Sequence, residues 1–371
     1  MIPPAVDDAI DLSRVRRALV IKLRHHGDVL MASPVFTVLK RAAPHADIDA
    51  LVYKETAPML ERHPAVSIVH TIDRGLKDRG PMAQLIGDGR LWAALRARHY
   101  DLVVHLTEHP RGAWLTRIAG ARFGVAPERA RSGWFWRRCF THRYPLPAST
   151  PRHMVEQDLD ALRRIGIWPE DGEKKLVHVP GPEAEKRVEA LLATHGLARG
   201  RFVLIHPASR WLFKCWPAIP TAALLDRIAA RGWPLVITGA PDPAEAPLVN
   251  AIKAALTTPV VDLAGQLTLP ELSALIAAAR LFIGCDTAPM HLASAAGTPI
   301  VAWFGPSDER VWGPWRVPHR IVASTVHPCR PCQINGCGGS NISDCLQTLP
   351  LEQVSAAVDE LLASIGPASL R

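Results

Sequence analysis

Three short stretches gather acids, bases and hydroxyls more densely than packing alone requires. The first, 22–34, reads KLRHHGDVLMASP: Lys22, Arg24, His25 and His26 precede Gly27, and Asp28 follows it. A carboxylate just beyond a tight turn can take a proton from a hydroxyl, or it can cap the next helix by accepting backbone N–H bonds. The second stretch, 205–217, reads IHPASRWLFKCWP and places Ser209, Arg210 and Lys214 ahead of a helix that 217–221 can start. Hydroxyl, guanidinium, ammonium and helix N-terminus together suit a diphosphate; the alternative is a solvated loop anchored by Trp216. The third, 285–299, reads CDTAPMHLASAAGTP, with Asp286, Thr287, Ala288 and Pro289 opening a helix and His291 about one turn on. Asp286 can cap that helix or accept hydroxyl bonds from a sugar, while amides at the helix start can hold phosphate.

Cysteine offers a fourth pattern. Cys329, Cys332, Cys337 and Cys345 follow the spacing C-x2-C-x4-C-x7-C. Four thiolates can hold zinc, but the paired C-x2-C knuckles of the strongest zinc signatures are missing, and buried free thiols are the default in a reducing compartment. Cys139, Cys215 and Cys285 stand alone in the sequence and read as small apolar core residues.

These stretches need strands and helices to position them. In the first half, strands are expected at 18–23, 48–53, 66–72 and 101–106, with helices at 29–43 and 89–99. The second half repeats the alternation, with strands at 202–206, 235–238, 260–263, 281–284 and 300–304 and helices at 221–230, 244–255 and 269–279. Two sets of parallel βα units predict two doubly wound domains, with ligands at the carboxyl ends of the strands and in the cleft between domains. The join falls within 168–181, giving domains 1–170 and 171–371. A last amphipathic stretch, 351–365, can pack on either. The first strand-to-helix turn has only Gly27 where a dinucleotide fingerprint needs G-x-G-x-x-G, which argues against a standard NAD site.

Composition narrows the classes. The 371 residues are 48% apolar and 21% charged, with 25 Gly and 33 Pro in no fixed period, so the chain is globular rather than collagen-like or disordered. Breaks at Pro289, Gly297, Pro299 and Pro306 exclude the longest apolar run as a membrane span. Only 18–21 precedes Lys22 as an apolar run, too short for a signal-peptide core, so a cytoplasmic location is expected. The net charge is +8: residues 1–170 hold 26 Lys and Arg against 18 Asp and Glu, and the remainder holds 17 of each. Either the first half meets an anionic partner or the whole composition is simply arginine-rich.

KLRHHGDVL, HPASRWLFKCWP and GCDTAPMHLASAAGTPIVAWFGPSDERVWGPW, in this order and over nearly the whole chain, resemble the ADP-heptose:lipopolysaccharide heptosyltransferase family. The S-R-W-x-F-K-x-W and H-G-D forms are most similar to its heptosyltransferase III branch. The resemblance implies a GT-B fold: two Rossmann-like domains with the active site in the cleft between them. It implies inverting, metal-independent transfer from ADP-L-glycero-D-manno-heptose to a heptose of the lipopolysaccharide inner core, with no cofactor beyond the donor. Residues 1–170 would hold the core lipid acceptor and 171–371 the nucleotide sugar. The base falls on Asp28, and the family's lysine at the end of the first strand falls on Lys22. Ser209, Lys214, Asp286, Thr287 and His291 fall on the donor site, with Arg210, Ala288 and Pro289 in the same segments. Lys22, Arg24, His25 and His26 become candidates for acceptor phosphates or carboxylates. In heptosyltransferase I the central loop is one residue shorter than Arg210-x3-Lys214, so the match of Lys214 rests on the branch III form.

The chain would then work at the cytoplasmic face of the inner membrane of a Gram-negative cell, held peripherally, without nucleic acid. Two rivals are a same-fold transferase using another nucleotide sugar and a basic nucleic-acid-binding module regulated by a nucleotide. The second rival lacks a recognisable DNA or RNA motif.

Overall fold

Runs of β-branched and leucine residues between amphipathic segments become central strands, since a strand covered on both faces must be apolar throughout. The computed structural model describes residues 6–128, 133–146 and 150–366. It divides into two units, Met1–Val179 and Pro180–Arg371.

The first unit runs β1 Arg17–Ile21, α1 His26–Met31, α2 Ser33–Ala42, β2 Asp47–Tyr53, β3 Val69–Ile72, α3 Pro81–Ala97, β4 Leu102–His105, α4 Pro110–Ala119, β5 Phe123–Pro127, α5 Trp134–Cys139, β6 His142–Tyr144 and α6 Met154–Arg163. Its parallel sheet has the order β3-β2-β1-β4-β5-β6. The order reverses between β1 and β4, where Ile21 pairs with His105, so the carboxyl end of β1 is the expected ligand edge.

The second unit runs α7 Pro182–Thr194, β7 Val203–His206, α8 Ala218–Ala230, β8 Leu235–Ile237, α9 Ala246–Ala255, β9 Val261–Asp262, α10 Leu269–Ala278, β10 Leu281–Cys285, α11 Ala288–Ala296, β11 Ile300–Phe304, α12 Glu309–Trp312, β12 His319–Ala323, α13 Asp344–Gln347 and α14 Leu351–Ser364. Its sheet, also parallel, has the order β12-β11-β10-β7-β8-β9, with the reversal between β7 and β10. Gly284 pairs with His206 there; a Cβ at Gly284 would lie 2.6 Å from the His206 carbonyl, so only glycine permits this approach. α14 packs on this unit, burying Val354, Val358 and Leu361 in the core that holds Trp216 and Trp303.

Several expectations need correction. The single helix expected at 29–43 is two, meeting at Ala32, and the first begins at His26. The helix expected at 89–99 starts already at Pro81. β5, β6 and β12 were not expected; the first carries Gly124 and Pro127, and the second is the polar tripeptide HRY, so neither shows an apolar run. The boundary after Val179 falls within the join expected at 168–181, a few residues beyond the division placed after residue 170. Residues 171–179 stay with the first unit because Arg41 on α2 bonds Glu173 and the Trp168 carbonyl, and the Val177 amide donates to Ser33 Oγ at 2.9 Å.

Candidate active site

At the reversal point of the second unit, the loops after β7 and β10 lie side by side. Lys214 donates from Nζ to Asp286 Oδ2 at 2.6 Å and to the Asp286 carbonyl at 3.3 Å. The other carboxylate oxygen, Oδ1, sits 3.9 Å from His291 Nε2. Ser209 is buried, and its hydroxyl accepts the Trp211 amide at 3.2 Å. The Trp211 ring carries two cations, the Arg210 guanidinium 4.6 Å and Lys214 Nζ 5.0 Å from its centroid. Ser209, Arg210, Lys214, Asp286 and His291, from two distant segments, therefore belong to one locus.

Asp286 does not cap α11. Thr287 is the N-cap in extended backbone and makes no side-chain capping bond; its hydroxyl turns back to the Cys285 carbonyl at 3.4 Å. The positive end of the α11 dipole thus faces the locus without a side-chain cap. Ala288 supplies a backbone amide at this start, whereas Pro289 has no N–H and contributes shape alone. α8 likewise starts without a side-chain cap, on Pro217.

Two groups beside this locus escaped the sequence reading. Glu245, buried at the start of α9, accepts the Ala240 amide at 2.9 Å and lies 3.7 Å from His206 Nε2; the other His206 nitrogen meets Thr238 Oγ1 at 3.0 Å. Burial pushes the Glu245 carboxyl upward, but bonds from His206 and backbone amides outweigh it and hold the group below its usual range. The detectable signal was His206 itself, a polar residue ending an apolar strand. Flanking them, a pocket of about 250 Å³ opens between Pro241, Val249, Asn250, Lys253 and Gly265.

In the first unit, Lys22 directly follows β1, and its role differs from that expected. Its ammonium donates to both Asp158 oxygens, at 2.7 and 2.8 Å, and both side chains are 3% exposed. A lysine so enclosed cannot meet an acceptor phosphate, which removes Lys22 from the contact residues. Asp158, on α6, is pushed up to about 6 by burial against the opposing pull of Lys22; the charge of Asp28 adds to the rise and that of Arg24 opposes it. The sequence did carry a signal for Asp158. Val155, Asp158, Leu159 and Leu162 form the buried stripe of α6, and a carboxylate on an apolar stripe needs a partner.

Asp28 lies half-buried in the first turn of α1, but His25 is the N-cap, so the capping role does not fall to Asp28. Arg24 is exposed, and His26 spends one ring nitrogen on the Glu55 carbonyl at 2.7 Å. The structure thus gathers Asp28, Arg24, Lys22 and Asp158 at the carboxyl edge of β1.

The cysteine pattern folds into one neighbourhood: burial pushes the Cys345 thiol above its usual range, and the nearby Cys337, Cys332 and Cys329 add to the rise. Cys329 is exposed, Cys332 and Cys337 are half-buried and Cys345 is buried; among the described residues no three His, Cys, Asp or Glu side chains gather as a metal site. Cys139, Cys215 and Cys285 are all buried thiols. The last two are neighbours in space, and the Cys215 thiol, together with burial, holds the Cys285 thiol well above its usual range.

The model of glycosyltransferase family 9 (heptosyltransferase) matches residues 89–342. This chain belongs to that family. It is 35% identical to lipopolysaccharide heptosyltransferase 3 of Escherichia coli over 92% of this chain and 98% of that one. The family 9 glycosyltransferase structure from Veillonella parvula superposes with a TM-score of 0.81 at 23% identity, covering 96% of this chain and all of that one. The E. coli ADP-heptose lipopolysaccharide heptosyltransferase II structure gives 0.74 at 21% identity over 94% and 99%. The fold class is GT-B, as the family resemblance implied.

Proposed function

We propose that this family 9 chain moves heptose from ADP-L-glycero-D-manno-heptose to a heptose of the lipopolysaccharide inner core, with inversion. The observation that carries the donor half is the Lys214–Asp286 pair joining the two loops at the reversal point of the second unit. The likeness to heptosyltransferase 3 over nearly the full length of both chains supports the choice of sugar and acceptor.

In this reading the acceptor hydroxyl oxygen attacks the anomeric carbon, and the bond from that carbon to the diphosphate oxygen breaks on the opposite face. Asp28 takes the hydroxyl proton, and ADP leaves with the bonding pair. Lys214, Ser209, Arg210 and the uncapped start of α11 stabilise the charge growing on the diphosphate, a task that a divalent metal performs in other transferases. The reaction is therefore proposed to need no metal and no cofactor. Asp286 and His291 are left to meet sugar hydroxyls, while Arg24, His25 and His26 line the acceptor side.

Lys22 and Asp158 act behind Asp28, fixing the end of β1 and the start of α1. The acceptor is a lipid at the cytoplasmic face of the inner membrane of a Gram-negative cell, and nucleic acid plays no part. No helix among the described residues is long and apolar enough to cross a membrane.

The test is incubation with ADP-heptose and a core acceptor lacking the side-branch heptose, read by mass spectrometry, with other nucleotide sugars as competitors. A product heavier by one heptose, formed at full rate after exhaustive chelation, supports the reading. Turnover of a different nucleotide sugar in preference, or turnover that stops on chelation and returns with magnesium or zinc, overturns it.

A further inference from the structure

α3 buries Leu91 and Leu95 against the first sheet, yet its opposite side is equally apolar. Met82, Leu85, Ile86 and Trp92 are 67, 63, 49 and 42% exposed. Steps of three or four residues put Met82, Leu85 and Ile86 on one stripe, which continues through Gly89 to Trp92. α4 adds Trp114, 59% exposed, whose ring meets Phe135 of α5 with centroids 4.4 Å apart, and α5 opens on Trp134, 71% exposed.

The three helices adjoin. Arg111 of α4 bonds Asp88 of α3 at 2.6 Å, Leu115 of α4 shares a core with Leu91 and Leu95, and Ala113 of α4 shares another with Trp136 of α5. Single exposed apolar residues are ordinary; a run of them across three neighbouring helices is not.

The charges around this patch have one dominant sign. Arg90 and Arg96 on α3, Arg117 on α4 and Arg137 and Arg138 on α5 are all exposed, and the Arg138 guanidinium lies 5.2 Å from the Trp134 ring centroid. Within the three helices the acidic residue is Asp88, already bonded to Arg111. Each helix follows a parallel strand, so each starts at the carboxyl edge of the sheet, the edge that carries Asp28. Met82, Leu85, Ile86, Trp114 and Trp134 all fall within the first two turns.

We infer that the outer face of α3, α4 and α5 docks on the surface of an anionic bilayer. Methionine, leucine, isoleucine and tryptophan side chains enter the boundary between headgroups and acyl chains, while the arginines meet lipid phosphates. The inference rests on the proposed lipid-linked acceptor: docking here holds the Asp28 edge close to a sugar whose anchor stays in the membrane.

The test uses full-length protein and vesicles of phosphatidylethanolamine and phosphatidylglycerol, with phosphatidylcholine vesicles for contrast. Wild-type protein should co-sediment with the anionic vesicles far better than with the neutral ones. A combined Met82→Gln, Leu85→Gln, Ile86→Gln and Trp134→Gln variant should lose about tenfold or more of that binding. Its Tm and its turnover of a delipidated core oligosaccharide should match wild type, while turnover of vesicle-embedded acceptor falls.

An Arg137→Gln, Arg138→Gln variant keeps the apolar stripe and should lose mainly the preference for anionic vesicles. Wild-type protein that ignores anionic vesicles, or a glutamine variant that binds them undiminished, overturns the inference. A wild-type dimer that becomes monomeric in the glutamine variant also overturns it, by assigning the face to a second copy. Failure to turn over any core oligosaccharide would count against the proposed reaction, while vesicle binding still decides the docking face.

Discussion

Lys22 with Asp158 and Lys214 with Asp286 are the same chemical pair, each set beyond the first strand of its unit, yet their surroundings differ. The first pair is sealed: both side chains are 3% exposed, and one ammonium satisfies both carboxylate oxygens. The second is open on the lysine side, 16% against 7% for its aspartate, and it shares its space with Trp211, Arg210 and His291. A sealed pair has no room for a ligand, and its desolvation is offset only by its own geometry. An open pair beside uncapped helix starts can exchange an internal bond for one to an incoming anion. The sealed lysine can thus only position its neighbours, whereas the open one, on the loop after β7, is the one proposed to bind the donor.

The comparison breaks most visibly through stability. Lys22→Met leaves Asp158 buried without its counter-ion and should cost about 3–5 kcal/mol, read by urea denaturation, whereas Lys214→Met should cost far less. A Lys22→Met, Asp158→Leu double variant should recover much of the loss. Equal destabilisation by the two single lysine variants would erase the distinction.

Chemistry sharpens it next. Asp28→Asn should lower kcat at least about 100-fold with ADP affinity unchanged, because the role proposed for the carboxylate is confined to the acceptor proton. A folded variant with near-normal turnover removes Asp28 from the mechanism.

Donor affinity follows. Lys214→Ala should weaken ADP by roughly 10 to 150-fold, the equivalent of about 1.5–3 kcal/mol for a charge-assisted bond, measured by calorimetric titration. Arg24→Ala should leave ADP untouched and raise the acceptor KM, more so at low salt. ADP binding unaffected by loss of Lys214 would leave the open pair without a ligand.

The smallest effect is a slope. The folded carboxyl of Asp158 sits at about 6, above its unfolded 3.8, so between these values the folded state holds a proton that the unfolded state has lost. Its contribution to stability is therefore full below the unfolded value and declines as pH rises through about 6. The stability curve of wild type minus that of Asp158→Asn should fall across this window, and a flat difference would place the Asp158 carboxyl elsewhere.

Much of this protein is written locally. Alternation of apolar runs with amphipathic stretches announced two parallel α/β units, and the order of the three motif segments announced the family. Local pattern also named Ser209, Lys214 and Asp286, since a polar cluster at the end of an apolar strand falls where a parallel sheet opens to ligands. The partners of these residues were not legible in the same way. Lys22 reaches Asp158 across 136 positions and Lys214 reaches Asp286 across 72, through crossovers that bring one strand end beside another or beneath a helix. Periodicity says which side of a helix is apolar, but not which polar group lies under it. That is why Lys22 read as a cation for the acceptor, and only the packing of α6 against the end of β1 made it one for Asp158.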